Sequence, residues 1–150
     1  TGLSVATPAF EDGATIPERH TCAGADASPP LRVEAPEAST LAVVLDDADA
    51  DGFTHWTLWD VPAARAEIPA GLPRESIVLG AARQGRNDFG DLGYRGPCPP
   101  EGDDPHTYRL TLYGLDGALG LPSGVEPAAV DEALDNAALG SARLTGEFGR

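Results

Sequence analysis

The stretch from Asn87 to Tyr113, NDFGDLGYRGPCPPEGDDPHTYRLTLY, restricts this chain more than any other. Four glycines and three prolines lie between Gly90 and Gly102, too many breakers for a helix or a regular ladder. The segment must therefore follow a defined irregular path. In its middle only Gly96 and Cys98 offer backbone N–H groups, because Pro97, Pro99 and Pro100 have none. The loop runs into RLTLYGL, which reads as a strand, with His106 and Tyr108 two apart at its start. A period of two places both side chains on one face, beside the loop. A rigid loop with a few bare amides, next to an imidazole and a phenol, can seat a small anion. A structured turn followed by ordinary strand residues explains the same letters.

The rest of the chain alternates apolar runs with turn punctuation. Leu3–Phe10 alternates weakly and suits an edge strand. The turn-rich segment up to Pro29-Pro30 precedes the short run Leu31–Val33. LAVVL, residues 41–45, reads as a buried strand and ends in the acidic loop DDADADG. FTHWTLWDVP reads as the next strand; strict alternation puts Phe53, His55, Thr57 and Trp59 on one face and Thr54, Trp56, Leu58 and Asp60 on the other. A third apolar run, Ile77–Leu79, precedes the breaker-rich loop, and Tyr108–Leu115 is the strand after it. Residues 127–140 carry the helical pattern: Pro127 suits the first turn, Gly140 the stop, and Val130, Leu134 and Ala137/Ala138 form an apolar stripe. ARLTGEF reads as a closing strand. A mostly β pattern with a single late helix predicts two stacked antiparallel sheets, and 150 residues suit one domain.

Charge narrows the partners. Twenty-four acidic residues face ten basic ones, all Arg, for a net charge of −14. Nucleic acid and anionic membrane surfaces would be repelled. A Lys-free acidic surface fits a salt-rich cytoplasm, where self-repulsion is screened; a GC-rich genome gives a similar composition. No apolar stretch reaches the ~18 residues of a membrane span. TGLSVATPAFEDG shows no basic-then-apolar leader pattern, so the expected setting is a cytoplasmic one. Only Cys22 and Cys98 are present, which excludes a zinc site of four thiolates. Two buried thiols are the expectation in a reducing compartment; a disulfide between them is the alternative.

Few motifs with chemistry survive inspection. Asp47-Ala48-Asp49-Ala50-Asp51-Gly52 fits the first half of a calcium-binding EF-hand loop, but Leu58 stands where the bidentate Glu is required. The histidines His20, His55 and His106 show no zinc-binding spacing, and no G-x-S-x-G elbow occurs. No cofactor is implied.

Taken together, TCAGADASPPL, LAVVLDDADA, HWTLWDVPA, NDFGDLGYRGPCPPEG, HTYRLTLYGL and ALGSARLTGEFGR resemble the phosphatidylethanolamine-binding protein family, also called the Raf kinase inhibitor protein family, in its compact bacterial and archaeal form. The resemblance spans nearly the whole chain and implies a β-sandwich-like fold with a shallow site for phosphate-type anionic headgroups. It implies Asp47 as the site carboxylate, His55 as the strand imidazole and His106 with Tyr108 beyond the proline loop. Gly96, Pro97 and Cys98 would supply loop backbone or wall. The chain departs from the family pattern at Ala48 and Asp51, where prolines are common, and at Thr107, where Arg is. In this reading Asp47 accepts a hydrogen bond from His55 and keeps it easily protonated. Without an activated nucleophile or metal, binding is favoured over catalysis. The alternatives are an inhibitor of a protease or kinase acting through surface loops, with its target unnamed, and a hydrolase using His55 or His106 as base. A homodimer stays open.

Overall fold

The computed structural model describes residues 2–150. Its strands are β1 (Ser4–Ala6), β2 (Leu31–Glu34), β3 (Thr40–Asp47), β4 (Phe53–Pro62), β5 (Glu67–Ile68), β6 (Ile77–Val78), β7 (Ala82–Gln84), β8 (His106–Leu115) and β9 (Gly140–Phe148), with helix α1 (Pro127–Ala137) between the last two. They form a three-stranded antiparallel sheet ordered β1-β2-β5 and a six-stranded antiparallel sheet ordered β6-β7-β4-β3-β8-β9. The mostly β architecture with one helix near the C-terminal end is the one expected.

Alternation along β3 and β8 explains why the large sheet is buried on both faces. Leu41, Val43, Leu45, Tyr108, Leu110 and Leu112 face the small sheet, where Leu31, Val33 and Ile68 meet them. Ala42, Val44 and Leu115 face the other way and pack under Val130 and Leu134 of α1. Each of these layers removes apolar area from water, at roughly 25 cal/mol per Å². The indoles divide likewise: Trp56 joins the inter-sheet core and Trp59 the layer under the helix. Trp56 Nε1–H donates to Gln84 Oε1 at 2.8 Å, so its polar atom is satisfied inside the core.

Strict alternation fails in β4, where the ladder slips at two places. Leu45 pairs with Trp56 but Asp46 pairs with Thr54, so His55 is an extra residue in the β4 side of the ladder. A second slip lies between Leu41↔Val61 and Val43↔Leu58, where Asp60 takes a left-handed φ of 59°. A bulge re-aims the side chains on either side of it. Phe53 and His55 consequently lie with Tyr108 on the inter-sheet side, while Thr57 and Trp59 do not share their face. The four residues expected on one face are split between two.

Two further expectations need correction. The helix ends at Ala137 rather than at Gly140: Ala138 N–H caps onto Leu134 O, and Leu139 N–H then bonds to Gly114 O. Pairing with β8 captures Gly140 as the first residue of β9, so a tertiary hydrogen bond overrides the local stop signal. Cys22 and Cys98 are not free thiols but form a disulfide between chain segments 76 residues apart. Cys22 N–H also bonds to Pro97 O at 3.1 Å, so backbone and side chain both tie the breaker-rich loop to residues 20–24. No helix among the described residues is long and apolar enough to cross a membrane.

Candidate functional site

Three pieces of chain meet at one end of the six-stranded sheet: the β3–β4 turn, the start of β8 and the loop through Arg95–Cys98. The turn is tight because Asp47 Oδ1 accepts Asp49 N–H at 2.8 Å, while Asp51 and Gly52 take left-handed φ values of 54° and 74°. Its carboxylates diverge. Asp46 points to the helix side and holds Arg109 by two bonds, at 2.9 and 2.8 Å. Asp49 accepts Thr107 N–H at 2.6 Å. Asp47, 4% exposed, turns inward to His106. Among the described residues, no group of His, Cys, Asp and Glu side chains is arranged to hold a metal ion.

His106 is clamped by acids. Its Nδ1 lies 2.7 Å from Asp47 Oδ2 and its Nε2 lies 3.2 Å from Asp103 Oδ2. Both contacts are hydrogen bonds only when both ring nitrogens carry protons. The Asp47 bond, with help from Asp103, raises the imidazole pKa against the opposing effect of burial.

His55 has a different environment. The expected Asp47–His55 hydrogen bond is not formed; His55 Nδ1–H donates to Arg95 O at 2.8 Å, and Arg95 N–H returns a bond to His55 O at 3.1 Å. Its ring packs against aromatic neighbours, with centroids 5.2 Å from Phe53, 5.4 Å from Phe89 and 5.4 Å from Tyr108. Burial lowers its pKa and outweighs the raising effects of the Arg95 carbonyl and the Asp47 charge. The upward shift expected for His55 is therefore reversed in sign: desolvation wins because the carboxylate's hydrogen bond goes to His106.

Tyr108 stands between the two imidazoles, 5.4 Å from one ring and 6.3 Å from the other. Its hydroxyl is buried and makes no hydrogen bond of good geometry, although Asp47 is close enough to act on it. Burial first, then the Asp47 charge, raises the phenol pKa, so the group stays protonated. The charge of Arg150 opposes this; its Nε–H donates to Pro99 O at 2.8 Å.

The loop residues Gly96, Pro97 and Cys98 are each tied down by contacts of their own. Gly96 N–H is not free: it donates to Asp26 Oδ1 at 2.8 Å. A Cβ at Gly96 would come within 2.2 Å of His20 O and 2.6 Å of Asp26 Oδ1, so only glycine fits this crossing. Pro97 is buried and its carbonyl is taken by Cys22 N–H. Cys98 contributes its sulfur to the disulfide. The nearby arginines, Arg95 and Arg109, are both held by carboxylates. Arg95 pairs with Asp91 and, at 3.5 Å, with Asp26, and its guanidinium lies 4.8 Å over the Phe89 ring. The structure thus brings Asp47, His55, His106 and Tyr108 together, while Gly96, Pro97 and Cys98 serve chiefly to anchor the loop behind them. Asp26 and Phe89 carried no sequence signal of their own. Asp26 acts across 70 residues, and Phe89 sits inside a loop whose path the breakers alone do not define.

Similar architectures and sequences occur elsewhere. A family model described as phosphatidylethanolamine-binding protein matches residues 6–149. The UPF0098 protein of Methanothermobacter thermautotrophicus is 40% identical over 152 residues, covering 99% of this chain and 99% of that one. The UPF0098 protein of Pyrococcus abyssi is 39% identical over 147 residues, covering 94% of this chain and 82% of its own. The crystal structure of E. coli YbcL, described as a new member of the mammalian PEBP family, superposes with a TM-score of 0.92 at 30% identity, covering 100% of this chain and 99% of that one. With the family model matching nearly the whole chain and relatives agreeing in sequence and fold, this chain belongs to the phosphatidylethanolamine-binding protein family.

Proposed function

We propose that this protein binds a small molecule through a phosphate-type anionic headgroup seated beside Tyr108, between His55 and His106. The observation that carries this reading is the buried Tyr108 hydroxyl, which makes no hydrogen bond of good geometry within the protein although Asp47 lies close, next to an imidazole whose pKa two carboxylates raise. An unpaired buried hydroxyl costs about 1–3 kcal/mol, and an oxyanion accepting its proton recovers that cost. The positive charge nearest Tyr108 is that of His106, itself paired with Asp47 and Asp103; Arg150 acts at longer range and pairs with Glu101 at 3.7 Å, while Arg95 and Arg109 are held by Asp91 and Asp46.

Binding is favoured over hydrolysis. Both nitrogens of His106 face carboxylates, which leaves no lone pair for a general base, and the Cys98 sulfur is tied up in the disulfide. That disulfide fits an oxidising compartment, so it weighs against the cytoplasmic setting expected from the sequence.

Calorimetry with sulfate at fixed ionic strength tests the reading, since sulfate keeps its charge between pH 6 and 9. Affinity should be highest near pH 6 and fall as the pH rises through the raised pKa of His106. His106→Gln should flatten that dependence, and Tyr108→Phe should weaken binding about tenfold, the equivalent of one charge-assisted hydrogen bond. Affinity that is flat with pH in the parent and unchanged in both variants overturns the proposal.

A further inference from the structure

Phe89 is an exposed aromatic ring on a loop that is unusually well braced. Asn87, fully buried, holds the loop from inside: its Oδ1 accepts Phe89 N–H at 3.0 Å and Asp91 N–H at 3.2 Å, and its Nδ2 donates to Gly93 O at 3.0 Å. Gly90 supplies the left-handed residue, with a φ of 89°. The ring at the tip remains 42% exposed, although a folding core would cover it. Its neighbours fix its orientation: Phe53 meets it edge-on at 4.9 Å, His55 edge-on at 5.4 Å, and the Arg95 guanidinium lies 4.8 Å from its centroid. Arg95 is in turn held by Asp91 and Asp26, so the shelf cannot easily collapse.

Resting on the headgroup reading above, we infer that Phe89, with Phe53 beside it, forms the specificity-determining half of the site and covers an aromatic substituent on the bound oxyanion. The shelf begins at His55, whose ring also touches Tyr108, so an anion beside the phenol would place its substituent against Phe53 and Phe89. On the opposite side stand Asp47 and Asp103, already engaged with His106, and that acidic wall disfavours an apolar group or a second anionic one. A monoester with one anionic head and one flat aromatic group satisfies both sides. Ring-on-ring contact adds attraction beyond the area covered, and edge-to-face geometry suits the tilted rings already present.

Calorimetry at pH 6 with inorganic phosphate and phenyl phosphate, on the parent, Phe89→Ala, Phe89→Leu and Phe89→Trp, tests this. The parent should prefer phenyl phosphate about tenfold, and Phe89→Ala should remove that preference, weakening phenyl phosphate far more than inorganic phosphate. Phe89→Trp should keep the preference and Phe89→Leu should lose most of it, because leucine covers area without offering a ring. Binding of both probes with equal affinity in the parent overturns the aromatic shelf while the headgroup site stands. Equal loss of both probes in Phe89→Ala, or full preference in Phe89→Leu, also overturns it. No binding of either probe to the parent overturns the headgroup site and the shelf together.

Discussion

His106 and His55 flank the same tyrosine, one on the edge built by the β3–β4 turn and the other on the edge built by the Arg95–Cys98 loop. Both feel the charge of Asp47, yet their pKa values shift in opposite directions. The turn edge is ionic: two carboxylates contact one imidazole directly. The loop edge is aromatic and covalently stapled: His55 meets a carbonyl and three aromatic rings, backed by a disulfide. Proximity to a carboxylate does not fix a histidine's charge; the hydrogen bond does, and Asp47 makes its bond to only one of the two. The pH limits of the two edges are therefore opposed. His106, with its pKa raised above the unfolded value, contributes stability that is complete below that value and is lost as pH rises through the folded pKa. His55, buried in its neutral form, contributes stability present above the unfolded value and lost as pH falls through its depressed pKa.

The staple provides the largest test of the contrast. Replacing both cysteines, Cys22→Ala with Cys98→Ala, opens a closure across 76 residues and should cost about 2–5 kcal/mol in denaturant unfolding. The loosening should be confined to the loop edge, so the ring resonances of His55 should move while those of His106 stay. Equal movement of both would show that the edges are one unit.

Asp47→Asn attacks the other edge. The loss of a buried, charge-assisted bond should cost about 1–3 kcal/mol. In NMR titration the His106 midpoint should drop, and the stability difference from the parent should shrink as pH rises through the parent's raised pKa. His55 should move only slightly, because Asp47 acts on it through space and behind larger causes. A shift of His55 as large as that of His106 would mean that the two imidazoles share the carboxylate after all.

The smallest effect belongs to Asp103→Asn, whose side chain is 49% exposed. It should cost about 0.2–1 kcal/mol in dilute buffer and nothing measurable in molar KCl, where the Debye length is about 3 Å. The cost of Asp47→Asn should persist in the same salt. The parent itself should gain stability with KCl, because its net charge of −14 is then screened. Persistence of the Asp103→Asn penalty at high salt would place that contact in the buried class with Asp47.

Much of this protein is legible in its residues alone. Apolar runs at 41–45 and 108–115 specify buried strands, the breakers between Gly90 and Gly102 specify an irregular path, and period two places His106 and Tyr108 on one face. These are local properties, set by each residue's preference and its nearest neighbours. Four decisions needed the whole fold. The bulge that turns His55 toward Tyr108 is a mismatch between β3 and β4, and neither strand encodes it alone. The Cys22–Cys98 bond and the Asp26–Gly96 hydrogen bond join segments more than 65 residues apart, for which spacing carries no information. The choice of His106 over His55 as the partner of Asp47 depends on which ring nitrogen arrives within 2.7 Å of one oxygen. Hydrogen bonding and desolvation change over ångströms in space, and a sequence records only separation along the chain.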